Sequence, residues 1–149
     1  MNSLKLFWKS FSKKSVLRQL YFVLALFALL IPIAFWDSAT QIEVSFDTQN
    51  VYIKSDEYSI SIGYDEIESA ELVPLAEPGL ELENTVDNDI IRTGKWQNTS
   101  WGEYYINADL DATDCIVAHL KDGRVFVFSR KDNEATADDF ETLQIYLAA

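Results

Sequence analysis

The sequence predicts an α+β protein: an N-terminal transmembrane helix, then short antiparallel strands curled into a sheet or open barrel, then one C-terminal helix that caps it. Three observations carry that expectation. The run from Val16 to Trp36 is apolar apart from Arg18 and Gln19. Apolar and polar residues alternate from Ile42 to Tyr64. After Thr136 the apolar spacing changes to a helical period.

Leu20 to Trp36 contains no charged side chain, and at ~1.5 Å of rise per residue the stretch from Val16 to Trp36 reaches roughly 30 Å, a bilayer core. Leu24, Leu26, Phe27, Leu29, Leu30 and Ile31 each favour insertion by roughly 0.3 to 0.6 kcal/mol, and Arg18 at the edge can snorkel to the headgroups. Tyr21 and Trp36 stand near the two ends, where amphipathic rings are best placed. Lys5, Lys9, Lys13, Lys14 and Arg18 precede the span, whereas Asp37, Glu43 and Asp47 follow it, so the cation bias keeps the N-terminus cytoplasmic. A cleaved signal peptide is the rival reading. The apolar stretch is longer than a usual signal core, and Trp36-Asp37-Ser38-Ala39 has no small-x-small triplet. The expected organisation is a basic cytoplasmic segment (1–15), a transmembrane helix (16–36), a linker (37–41) and one extracytoplasmic domain (42–149), anchored in the plasma or inner membrane.

The chain carries a formal net charge of −12, and removing the five N-terminal cations leaves −17 on residues 37–149. Such a field repels phosphate, so nucleic acid is excluded as a partner and a phosphoinositide is disfavoured. Cys115 is the only cysteine, which excludes an intramolecular disulfide and a multi-thiolate zinc site. The 113 residues after Trp36 suffice for one domain with its own core.

Within that domain, Ile42, Val44 and Phe46 alternate with polar residues, as do Tyr58, Ile60, Ile62 and Tyr64; both read as half-buried strands, with a short strand at Val51 to Lys54 between them. A further strand covers Ile67 to Val73. Pro74, Pro78 and Gly79 then open an acidic stretch with Glu77, Glu81, Glu83, Asp87 and Asp89 that reads as a long loop. Strands follow around Trp96 and around Tyr104 to Ile106. Asp122-Gly123 marks a tight hairpin between Ile116 to Lys121 and Arg124 to Ser129. A two-residue turn there sets His119 opposite Phe126 and Ala118 opposite Val127. Both faces of this hairpin are mostly apolar, which places it centrally. Thr136, Phe140, Leu143 and Leu147 recur at helical spacing, with Thr136 and Asp139 resembling a capping box.

This order of elements, with Tyr64-Asp65-Glu66-Ile67, then Gly94, Gly102 and Tyr105, then Lys121-Asp122-Gly123-Arg124 before a phenylalanine-rich strand and Thr136, resembles the bacterial pleckstrin-homology-like (PH-like) domains over roughly residues 42–147. The resemblance implies a curled antiparallel barrel of about seven strands capped by the final helix. It also implies binding or assembly rather than catalysis. Lipid-binding members place several basic residues around the first hairpin, whereas Lys54 here sits beside Asp56 and Glu57, so phosphoinositide binding is not carried over.

The candidate functional residues are few. His119 is the only histidine, so a Ser/His/Asp or Cys/His mechanism would have to run through it, yet its strand position argues for packing. Asn107, Asp109, Asp111 and Asp114 bunch oxygen ligands, but Ala112 stands where a calcium loop needs glycine and Ala118 where it needs glutamate. No catalytic, metal or cofactor-binding residue is assigned. Trp96, Trp101, Tyr104 and Tyr105 are candidates for a partner-binding surface, because large amphipathic rings dominate such surfaces where exposed; barrel core is the competing role. The expected function is a non-enzymatic binding or assembly module at the cell envelope, with a protein partner or self-association. The alternatives are a receptor for a small ligand or peptide in the barrel mouth, or a small hydrolase.

Overall fold

The computed structural model describes residues 21–24, 42–56 and 58–149. The chain divides into two compact units, residues 1–39 and 40–149. In the first, residues 21–24 are helical. The remainder of the expected 16–36 span, the basic segment and the 37–41 linker lie outside the described residues. Among the described residues no helix is long and apolar enough to cross a membrane.

The second unit is α+β. It contains β1 (Glu43–Phe46), β2 (Asn50–Lys54), β3 (Ser59–Gly63), β4 (Ile67–Pro74), β5 (Leu80–Asp87), β6 (Ile91–Asn98), β7 (Gly102–Asp109), β8 (Asp114–Leu120), β9 (Val125–Phe128) and a helix α1 (Asn133–Leu147). The first three strands form an antiparallel meander, and the other six form a sheet in the order β4-β8-β9-β7-β6-β5. The expected single curled barrel of about seven antiparallel strands is therefore replaced by nine described strands in two sheets, and β7 pairs with β9 in parallel. The parallel pair arises because the β8–β9 hairpin folds back so that β9 inserts between β8 and β7. As the two apolar faces of that hairpin imply, it is central, and every residue of β9 is buried.

Period-two alternation divides the six-stranded sheet between two cores. Ile116, Ala118, Phe126 and Phe128 face a core shared with Val51, Ile53, Ile60 and Ile62 of the small sheet and Leu143 of α1. Cys115, Val117, Val125 and Val127 face a second core with Trp96, Tyr104, Ile106 and Ala108. Each such fully buried aliphatic side chain contributes roughly 1.5 to 3 kcal/mol.

Two local readings change. The hairpin loop holds three residues: Gly123, at φ +87°, donates its N–H to the Leu120 carbonyl at 2.9 Å, and Leu120 donates to the Arg124 carbonyl at 2.9 Å. The loop is a turn followed by a left-handed glycine. One added loop residue slides the register by one, so His119 meets Val125 and Ala118 meets Phe126. The helix is capped by Asp132, whose carboxylate accepts from Ala135 N–H at 2.7 Å. Thr136 lies inside the first turn, and its hydroxyl donates to the Asp132 carbonyl at 2.8 Å.

Candidate functional site

β4 and β5 are opposite edges of the six-stranded sheet, yet only Leu75 to Gly79 separates them. A flat sheet would put those edges about 24 Å apart at ~4.8 Å per strand, more than the ~20 Å that six extended steps can reach. The sheet must therefore curl, although it does not close, and the connecting segment straps across the second core. Three hydrogen bonds fasten this strap. Leu75 N–H donates to the Thr113 carbonyl at 2.8 Å, Asn98 Nδ2 to the Glu77 carbonyl at 3.0 Å, and the Tyr104 hydroxyl to the Pro78 carbonyl at 2.8 Å. Gly79 ends the strap at φ +84°, pressed so close to β6 that a Cβ there would overlap the Gln97 carbonyl oxygen. Only glycine fits.

Beyond Gly79 the acidic stretch expected as a long loop is the edge strand β5. It has two register irregularities against β6, between Glu81 and Glu83 and between Glu83 and Val86. Leu80 stands 68 % exposed and Leu82 is also exposed. A groove of about 370 Å³ opens at this corner, lined by Glu77, Gly79, Leu80, Gln97, Asn98 and Thr99. The cations nearby are already engaged: Lys95 Nζ lies 2.8 Å from Glu103 and Arg92 Nε lies 3.0 Å from Asp87. The hydrogen bond that Lys95 Nζ donates to the Glu103 carboxylate holds the ammonium above its usual range.

The four aromatic residues singled out from the sequence are placed unequally. Trp96 is 2 % exposed and Tyr104 1 %, so both belong to the second core and neither can serve as a docking ring. Trp96 Nε1 donates to the Thr93 carbonyl at 2.9 Å, which satisfies its one polar atom, and burial pushes the Tyr104 hydroxyl up to about 12. Tyr105 lies on the opposite face, half-buried and stacked on Phe126 at 5.0 Å. Trp101 is the one near a surface: partly exposed, its ring packs edge-on against Tyr104 at 5.1 Å, and its backbone N–H donates to Asn98 Oδ1, a residue of the groove lining, at 2.8 Å. Leu80, Glu77 and Gln97 were not singled out from the sequence. Their signal, an apolar residue directly after Pro-Gly in an acidic run, is too common to act on.

The remaining candidates do not converge on a reaction. His119, expected to be packed opposite Phe126, instead lies opposite Val125 and is half-exposed, with Nε2 3.4 Å from Glu71 Oε1. Cys115 is fully buried, and desolvation pushes its thiol up to about 12, against nucleophilic use. Asn107 and Asp109 are buried in β7; burial raises the Asp109 carboxyl above its ordinary value while Asp111 N–H, at 3.0 Å, pulls it down. Among the described residues no group of three or more His, Cys, Asp or Glu side chains is placed to hold a metal ion. A second cleft, of about 520 Å³ and mixed polarity, is lined by residues that include Asn50, Tyr64, Asp65 and Tyr146, with the Tyr64 and Tyr146 rings stacked at 4.8 Å. No family model, characterised protein or solved structure matches the chain.

Proposed function

We propose that this chain is a single-pass, membrane-anchored, non-enzymatic binding module whose extracytoplasmic domain docks another protein of the cell envelope. The observation that carries the reading is the corner groove: an apolar recess beside exposed Leu80, built on a strap that three hydrogen bonds and Gly79 hold rigid. Rigid support of a small exposed apolar feature is what a docking site requires and what a solvated loop lacks. The Val16 to Trp36 run supplies the anchor in the bilayer, and the five preceding cations set its orientation. Membership of the PH-like family belongs to the same proposal, supported by a strand-rich domain that ends in a packed helix. The chain is read as a binder without a cofactor and as a poor partner for nucleic acid or phosphoinositide, given the −17 charge of residues 37–149.

Two experiments test it. Alkaline carbonate washing should leave the full-length chain in the membrane pellet, and a C-terminal alkaline phosphatase fusion should be active; release into the supernatant or a silent fusion would remove the anchor. A photo-crosslinker in place of Leu82, introduced in intact cells, should give a discrete protein adduct that the same probe in place of Glu134 on α1 does not. Identical adducts from both sites, or none from Leu82, would remove the docking role.

A further inference from the structure

The corner groove constrains what enters it. Its lining is Gly79, Leu80, Gln97, Asn98 and Thr99, with the exposed Glu77 carboxylate at the strap end. Among the described residues no Lys or Arg forms an ion pair with Glu77; Lys95 and Arg92 on β6 are engaged by Glu103 and Asp87. A recess that sets exposed Leu80 beside the unneutralised Glu77 carboxylate, on a domain carrying −17, is complementary to an aliphatic side chain next to a cation.

Two other occupants fit less well. A second copy of this chain would bring the same carboxylates against each other, on a domain that already carries −17, and like charges across an interface oppose association. Strand addition to β5 meets the two register irregularities within eight residues, which bend the edge and interrupt the evenly spaced ladder that an added strand needs. Recognition by side chains in the groove needs no such ladder.

We infer that the groove beside Leu80 takes a basic segment of a partner protein, with one aliphatic side chain seated in it and a neighbouring lysine or arginine at Glu77. This rests on the docking role proposed above and adds the chemistry of the occupant.

The test titrates the full-length chain in non-ionic detergent with a labelled Lys-Lys-Leu-Lys-Lys peptide, followed by fluorescence anisotropy. Saturable binding is expected. It should weaken at least tenfold on Leu80→Asp and at least fivefold on Glu77→Lys. Both positions are exposed, so these variants should fold, as circular dichroism would verify. The change Glu134→Lys on α1 alters net charge equally and should shift affinity by less than twofold. A peptide with serine in place of leucine should bind at least fivefold more weakly. Equal losses from the two charge reversals would reduce the effect to the long-range field of an acidic domain and overturn the inference. So would equal binding of the serine peptide, absence of saturable binding, or a dimer that Leu80→Asp disperses. If the Leu82 probe yields its adduct in cells while the peptide fails, the occupant's chemistry is wrong and the docking role stands. If both fail, both fall.

Discussion

Replacing Asp139 by Asn should stabilise this domain at neutral pH and leave it nearly unchanged in acid. Asp139 lies in α1 with its side chain only 13 % exposed, and its buried Oδ2 has no hydrogen-bond partner. Arg130 Nη1 approaches to 3.6 Å, close enough for attraction but too long for a hydrogen bond. Desolvation outweighs that attraction and pushes the carboxyl up to about 6 from an ordinary 3.8, with neighbouring Asp138 adding to the rise. A carboxyl raised on folding favours the native state while it is protonated, below about pH 4, and loses that contribution as pH climbs through 6. At ~1.4 kcal/mol per pH unit, a rise of about two units, net of the Arg130 attraction, costs the native state up to about 3 kcal/mol at pH 7.5; partial exposure brings the expected figure to about 2 kcal/mol. Asn keeps the shape and removes the charge. Urea unfolding of wild type and Asp139→Asn should therefore differ by about 2 kcal/mol in favour of the variant at pH 7.5, and by about 0.5 kcal/mol or less at pH 4. A variant no more stable than wild type at pH 7.5, or with the same advantage at both pH values, would refute the assignment of a buried, poorly compensated charge.

Other expectations follow from the strap, the second core and the cap of α1. Gly79→Ala must place a Cβ against the Gln97 carbonyl and hold a left-handed backbone, so a loss of about 2 kcal/mol or more is expected in thermal or urea unfolding. Tyr104→Phe removes the bond to the Pro78 carbonyl and should cost about 1 kcal/mol, with faster proteolysis in the strap. Cys115 should resist a thiol reagent at pH 8 in the native protein and react at once in denaturant, since its burial keeps the thiol protonated; modification of the folded protein would contradict its placement. Asp132→Ala should cost about 1 kcal/mol by leaving the Ala135 N–H without its cap.

Much of the domain was legible because its signals are local. Alternation at Ile42 to Phe46 and at Ile60 to Ile62 sets strands whatever lies around them, and the spacing of Phe140, Leu143 and Leu147 sets a helix; these elements form where expected. Strand β5 was missed because an edge strand needs no buried alternating face: Glu81 and Glu83 sit in solvent there at little cost, so their acidity reads as loop. His119 was misplaced by a single loop residue in the β8–β9 turn, since Asp-Gly permits either a two- or a three-residue loop and the choice inverts which side chains share a face.

The sequence alone determined composition-level properties and local periods: an apolar run of membrane-spanning length, a strongly acidic remainder, and the alternation of most strands. Only the tertiary structure decided which side chains those elements bring together. Trp96 and Tyr104 differ little from Trp101 as residues along the chain, yet a sheet that must curl to let a five-residue strap cross it buries the first two and leaves the third at the rim. That choice depends on the order β4-β8-β9-β7-β6-β5, a set of pairings between distant segments. Local sequence cannot encode it, because each strand's alternation is satisfied equally well beside several different neighbours.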